Sequence, residues 1–415
     1  MKTTRRVPFA VLLAAVLALG VGQASPASAA TPSEQAAALR AKVQQALNGS
    51  TARSVAVAVD VDGLGQVDRR GATVSLPPAS TQKLFTTFAA LQKMGTDYRQ
   101  RTQLRAVGAK VGSHLRGDLY LVSAGDPYFT SAHLNVLAKA IADAGIRTIE
   151  GHLVVDDTRY DRVRRGAGWK TEWVPQQSGP LSAMALDRNT WRKDSAYLGD
   201  PATPVLGKLR AYLDSKGVTV SAALRRGPVP RAARVLASHV SVPLATTARR
   251  ISKDSDNFAA ELLLKELGSV GRARGTAADG AAVVKQVLGG LGVTVGTVAD
   301  GSGLSPRNRQ TAAGELSLLR AAQGTGAYSS LRASLPVGCR DGTLKKRFCG
   351  TAASGRVAAK TGTLDTARAL TGWTTTADGH RVSFAFLLAS FSNGTKAREA
   401  IDRAVVVLAA ARLQA

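Results

Sequence analysis

The chain has 415 residues, 45% of them apolar, and carries a formal charge of +26. That length is too great for one ordinary core and the apolar share is that of a folded protein, so two domains are expected and a disordered chain is excluded. The basic excess reads either as a match to an anionic partner or as a diffuse solubilising charge, and no nucleic-acid-binding motif is present, so no nucleic acid is expected.

Residues 1–30 read as a secretory signal. Lys2, Arg5 and Arg6 precede an apolar run over 9–21, and Ala27-Ser28-Ala29 has the small-x-small form of a cleavage site. The run is too short for a spanning helix. Its removal takes three basic residues and lowers the charge from +26 to +23. A secreted or extracytoplasmic location, in the periplasm or cell wall, is therefore expected, with anionic wall polymers as natural counterparts of the charge.

The spacing then predicts an amphipathic helix over 33–47 and a strand over 54–61 that alternates in its first half. Pro77 and Pro78 stop any upstream helix. Leu84, Phe85, Phe88 and Leu91 recur at helical spacing, so Ser80 opens a helix and Lys83 lies one turn on, on the same face. From about residue 98 the character changes. Strands over 117–123 and 152–156 flank a helix over 134–144; a loop at 199–204, a helix over 206–215 and a strand over 217–223 follow. Helices are predicted over 258–267, closed by Gly268, and over 279–288. A strand over 357–361 leads to a hairpin of 369–375 and 381–391 around Asp378-Gly379, and a helix over 397–413 ends the chain. The fold class is α+β, an antiparallel sheet with helices on both faces. Its two parts, 31–97 and 246–415, are interrupted by an inserted smaller α+β domain over 98–245.

The two cysteines, Cys339 and Cys349, are close in sequence. In an oxidising compartment such a pair reads as a disulfide, the alternative being two free thiols. The five histidines are scattered and no Cys-x-x-Cys or His-Glu-x-x-His occurs, so no metal site and no cofactor is expected.

Three short motifs carry the chemistry: Ser80-Thr81-Gln82-Lys83, Ser255-Asp256-Asn257 and Lys360-Thr361-Gly362. A serine hydroxyl is a weak nucleophile until a base takes its proton. Lys83 is placed to do so if burial or a second cation, such as Lys360, lowers its pKa. Backbone N–H groups at the helix start are half of an oxyanion hole. Lys360, Thr361 and Thr363 supply a cation and hydroxyls suited to a substrate carboxylate, and Gly362 permits close backbone approach. Ser255 offers a hydroxyl for proton relay and Asn257 an amide to grip a peptide bond. Taken singly, each motif has an ordinary structural reading: a helix cap, a solvated lysine, an edge-strand charge. Together and in this order they point to acyl transfer, a set known from class A β-lactamases and penicillin-binding proteins. The rival Ser-His-Asp hydrolase lacks its Gly-x-Ser-x-Gly elbow here.

Longer stretches resemble the class C low-molecular-mass penicillin-binding proteins, D-alanyl-D-alanine carboxypeptidases/endopeptidases of peptidase family S13. They are PPASTQKLFT at 77–86, GDLYLVSAGDP at 117–127, GHLVVDD at 151–157, SDNFAAELLL at 255–264, DGSGLSPRNR at 300–309, SLPVGCRDGTLKKRF at 334–348 and AAKTGTLDTARALTGW at 358–373. The resemblance implies a penicillin-binding/serine β-lactamase-like fold acting on peptidoglycan stem peptides, with β-lactam antibiotics as covalent inhibitors. It implies Ser80 as acylated nucleophile, Lys83 as general base, Ser255 as relay to the leaving D-alanine and Asn257 as holder of the acyl amide. Lys360, Thr361 and Thr363 would hold the terminal carboxylate, and the N–H groups of Ser80 and Thr363 the oxyanion. Two departures stand out. The family's third domain is absent, and Gln176 and Gln177 stand where tyrosines help form a side-chain pocket, leaving Trp169 and Trp173 as candidates to line it. Two alternatives share the motifs: a serine β-lactamase, for which Glu172 is the candidate deacylation carboxylate, and a non-catalytic wall-binding protein.

Overall fold

The computed structural model describes residues 1–4, 30–191 and 194–413. The apolar run over 9–21 and the cleavage site at 27–29 lie outside the described residues. Among those described, no helix is long and apolar enough to cross a membrane.

The main sheet is antiparallel. Its strands run Ala358–Leu364, Ala367–Thr375, Arg381–Phe391, Ala52–Val61 and Gly65–Asp68 in spatial order. The first strand of the chain thus pairs with the last, Val57 opposite Phe386. Both faces are covered. On one, helices Gln82–Met94, Leu244–Lys253, Asn257–Ser269, Ala277–Gly289, Ala312–Gln323 and Tyr328–Ser334 share a core of Leu84, Phe85, Phe88, Leu264, Leu316 and Trp373. On the other, Pro32–Leu47 and Gly394–Ala410 pack Leu39, Val43 and Val405 onto Val57, Phe384 and Phe386. Two-sided cover is why Ala56, Val57, Ala58 and Val59 are all buried and the expected alternation gives way to a continuous apolar run.

A second five-stranded sheet is built between the first two motifs. Its order is Leu224–Arg226, Leu153–Asp156, Leu119–Ser123, Arg101–Ala106 and Arg234–Val240. Helices Ser131–Asp143 and Thr203–Asp214 pack on it around Leu104, Leu121, Leu137, Leu206 and Leu209. Phe258 and Leu262, on the helix after the second motif, join this region through Tyr160, Leu181, Ala183 and Ala185. The same helix carries Glu266, wholly buried, which accepts from Arg159 Nε at 3.0 Å, from the Tyr160 hydroxyl at 2.8 Å and from Tyr98. A buried carboxylate left without such partners would carry a large desolvation cost.

The elements differ from the sequence reading in informative places. Gly268 does not close its helix, which runs on to Ser269. A Cβ there would meet Thr276 O at 2.4 Å, so the glycine marks the crossing of the next helix. The loop expected over 199–204 ends sooner, because Pro204 sits in the first turn of Thr203–Asp214, where it lacks no bond. The strand over 217–223 shrinks to Thr219–Val220, in a small four-stranded sheet of short segments. The last helix starts and ends three residues early, at Gly394–Ala410, with Asn393 capping its first N–H groups.

Candidate active site

Ser80 lies in a single 3-10 turn, Ala79–Thr81, that runs straight into the Gln82–Met94 helix. The turn is held from two sides. Ala79 adopts φ +50°, a costly conformation for a residue with a Cβ. Thr81 donates to Pro78 O at 2.8 Å and also to Glu315, which Thr371 of the sheet grips in turn. The third motif closes on the turn from the sheet edge. A Cβ on Gly362 would sit 2.6 Å from Pro78 O and 3.2 Å from the Ala79 Cβ, so only glycine lets the strand approach Ser80 this closely.

Lys83 points along the helix face to Ser80, as the i, i+3 spacing requires. It is wholly buried, and its Nζ donates to Ser80 Oγ at 2.9 Å, Asn257 Oδ1 at 2.8 Å and Ser302 O at 2.6 Å. Burial lowers its pKa to about 8, against the upward pull of Asp300, Glu261 and Asp256. Glu261, also buried, accepts from the Ser302 N–H at 2.8 Å; burial and Asp300 push its own pKa up to about 8. Lys360 is equally buried. Its Nζ donates to Ser255 Oγ at 3.1 Å and Thr361 O at 2.9 Å. Burial first, and then the Lys83 charge, hold Lys360 well below the ordinary lysine value. Burial is thus the main cause for both amines.

Ser255 has φ +55° and Asp256 caps the next helix through the Ala259 N–H at 3.0 Å. Burial would raise the Asp256 pKa, but it stays low because Arg188 binds it through both nitrogens, one at 2.6 Å. The middle residue of the motif is therefore structural. It turns its neighbours Ser255 and Asn257 toward the two lysines, and Asn257 Nδ2 reaches Gln177 O at 3.2 Å.

Ala358–Leu364 is an edge strand. The Ala359 N–H points away from the sheet, to Pro336 O at 3.0 Å. By alternation the N–H groups of Thr361 and Thr363 point the same way. They border a cleft of about 420 Å³ lined by Ser80, Ser255, Asn257, Thr361 and Thr363, with Gln177, Gly303, Leu304, Thr343, Arg347, Leu364 and Arg398. All three motifs meet there, Lys83 and Lys360 lying beneath its floor.

Other sequence candidates fall elsewhere. Neither Trp169 nor Trp173 is among the described residues lining the cleft, and Gln177 occupies that side. The Trp169 indole is buried as a donor to Asp300 at 2.8 Å, and Trp173 carries Lys170 over its ring. Glu172 is exposed and does not line the cleft either. Cys339 and Cys349 are bonded, in the loop that brings Thr343 to Thr361 at 2.8 Å. Sequence reasoning missed Glu261, Glu315, Arg347 and Arg398. Arg347 lies inside the recognised stretch 334–348, flanking the third motif, a signal that could have found it; Arg398 had none.

A serine and a buried lysine of lowered pKa at a cleft with outward N–H groups define a class, the lysine-assisted serine acyl-transfer proteins. The chain belongs to the D-Ala-D-Ala carboxypeptidase 3 (S13) family, whose profile matches residues 35–207 and 193–412. It is 30% identical to the D-alanyl-D-alanine carboxypeptidase of Actinomadura sp. (strain R39), over 92% of this chain and 86% of that one. It is 28% identical to carboxypeptidase DacB of Mycolicibacterium smegmatis, over 84% and 78% of the two chains. Its fold is that of penicillin binding protein 4 (dacB) from Haemophilus influenzae, with a TM-score of 0.79 at 21% identity, covering 88% of this chain and 98% of that one.

Proposed function

We propose that this chain is an extracytoplasmic serine peptidase that removes the terminal D-alanine from peptidoglycan stem peptides through an ester at Ser80. The observation that carries the reading is the 2.9 Å contact between Ser80 Oγ and the buried Lys83 Nζ, at the cleft where the other two motifs converge. The leader-like residues 1–30 and the family support the location, and a charge of +23 after cleavage suits anionic wall polymers. Residues 98–245 are the inserted domain in this reading. The two matched stretches meet within 193–207, which supports the absence of a third domain.

Geometry supplies the steps. A terminal carboxylate enters against Lys360, Thr361 and Thr363. The negative charge favours the ammonium form of Lys360, and repulsion then favours neutral Lys83. Lys83 takes the Ser80 proton as Oγ attacks the carbonyl carbon of the scissile bond. The N–H groups of Ser80 and Thr363 hold the oxyanion. Collapse breaks the C–N bond, and the proton that Lys83 took from Ser80 passes to the leaving amine through Ser255, which Lys360 touches, so that Lys83 is neutral again. D-Alanine departs, and water with Lys83 as base hydrolyses the ester.

Penicillins acylate the same serine, but their opened ring stays tethered over the water path. Among the described residues no carboxylate lines the cleft, so the water-activating acid of a β-lactamase is not supplied. Incubation with penicillin should add the mass of one penicillin and keep it, while a peptide ending in D-Ala-D-Ala loses D-alanine. Ser80→Ala should abolish adduct and release together. A normally labelled Ser80→Ala protein would place the nucleophile elsewhere, and rapid multiple turnover of penicillin without D-alanine release would make the chain a β-lactamase.

A further inference from the structure

The motifs account for Ser80, Ser255, Asn257, Thr361 and Thr363 in the cleft but leave two cations on its wall unexplained. Arg347 comes from the disulfide loop and Arg398 from the first turns of the Gly394–Ala410 helix. They share the cleft with Leu364, one residue beyond the proposed carboxylate holders on the Lys360 strand. Gln177 and Asn257, which touch at 3.2 Å, line it from the helix side. In the proposed binding mode the departing residue lies along the Lys360–Thr363 segment. Its side chain or onward peptide then runs past Leu364, toward the arginines.

Both guanidiniums have unused capacity. Arg347 spends Nε on Asp402 at 3.2 Å and also binds it through Nη2, which fixes the plane of the group, while its Nη1 has no hydrogen-bond partner among the described residues. Arg398 has no hydrogen bond or ion pair among them, and its charge is felt by Arg368, whose pKa burial and Arg398 both lower. Asp365 is the acidic group that partly offsets this cluster from the side of Arg368. Among the described residues no acid lines the cleft, and although Asp402 pairs with Arg347, Arg398 is left to favour an anionic leaving group.

We infer that Arg398 and Arg347 are specificity-determining residues for the leaving group, recognising a second carboxylate beyond the one held by Lys360. Besides the terminal D-alanine of that proposed function, the cleft then takes a peptide whose departing D-residue carries an acidic side chain or continues into an acid-bearing peptide. The inference rests on the peptidase reading above.

The test uses the full-length protein and three peptides with one acyl half, ending in D-Ala-D-Ala, D-Ala-D-Glu and D-Ala-D-Gln. Glutamate and glutamine differ in charge but hardly in size, so the ratio of their kcat/KM values isolates recognition of the second carboxylate and cancels any loss of folded enzyme. Exposed pairs of this kind are worth a small free energy each, so a D-Glu to D-Gln ratio of about two to ten is expected at low salt, declining toward one as salt screens it. Arg398→Ala should bring the ratio toward one, Arg398→Lys should keep most of it, and Arg347→Ala should lower it as well. A wild-type ratio at or below one, or a ratio unmoved by Arg398→Ala, overturns the inference while release of D-alanine leaves the peptidase reading intact. No hydrolysis of any of the three peptides overturns both.

Discussion

Acylation of Ser80 should speed up with pH until Lys83 has lost its proton. A lysine at its ordinary pKa of 10.5 has about one molecule in three thousand neutral at pH 7, whereas at about 8 it has about one in ten. Burial therefore raises the supply of working base by a few hundredfold. Between pH 6 and pH 8 the neutral fraction rises about fiftyfold, and above pH 9 it is nearly complete. The rate constant for labelling by a fluorescent penicillin, measured at fixed low concentration, should follow that rise and then level off. Glu261 titrates in the same range, and its ionisation draws a proton back toward Lys83, so the rise should be spread over more than one unit. Glu261→Gln removes that pull and should move the rise to lower pH and sharpen it. A rate that is flat from pH 6 to pH 9 would refute the assignment of Lys83 as base, because no other group beside Ser80 Oγ has its proton equilibrium placed there.

Three further outcomes are expected. Burial raises the Glu315 pKa from 4.5 to about 7, so the folded state holds its proton more tightly than the unfolded one; its contribution to stability is full below pH 4.5 and is lost as pH rises through 7. Glu315→Gln should therefore raise the unfolding free energy at pH 8, by up to about 3 kcal/mol in denaturant melts, and change little at pH 4; equal effects at both would contradict it. Reducing Cys339–Cys349, which are 10 residues apart, should cost about 2–3 kcal/mol by loop entropy, with a smaller effect on the intrinsic acylation rate of the remaining folded protein, read by denaturant melts with and without reductant. Lys360→Ala should slow substrates with a free terminal carboxylate about ten- to a hundredfold more than amidated analogues, since a charge-assisted contact in a sheltered site is worth about 1.5–3 kcal/mol; equal losses would assign Lys360 to the Ser255 proton path alone.

What could be read from the sequence was local. Ser80 and Lys83 are one helical turn apart, so pattern and helix geometry were enough to place them on one face, whereas Ser255 and Asn257 are brought together by the φ +55° turn at Ser255, which no pattern announces. The long amphipathic helices and the hairpin at Asp378-Gly379 were legible for the same reason. Strands such as Thr148–Ile149 and Leu224–Arg226 are too short for any period to show. Arg234–Val240 carries an arginine and a histidine, which hides it among polar segments. The buried acids were the largest omission. Glu261 and Glu315 sit on helices in positions that read as solvated charge, and only the packed structure shows them wholly enclosed. Trp169 could not be placed from sequence either, because its bond from the indole N–H to Asp300 joins residues 131 positions apart.

The order of strands in the main sheet also governs how the chain comes together in time. Ala52–Val61 is made early, yet its long neighbour Arg381–Phe391 is made last. Until then the early strand has only the four-residue Gly65–Asp68 beside it, and its other edge is bare and rich in valine and alanine. Contacts that span more than 300 residues are slow to close, whereas the second sheet between the first two motifs needs no residue from either end. A ribosome stalled before residue 381 should therefore release a chain with a folded middle and a sticky beginning. Deletions at the carboxyl terminus should aggregate through that strand rather than simply lose activity.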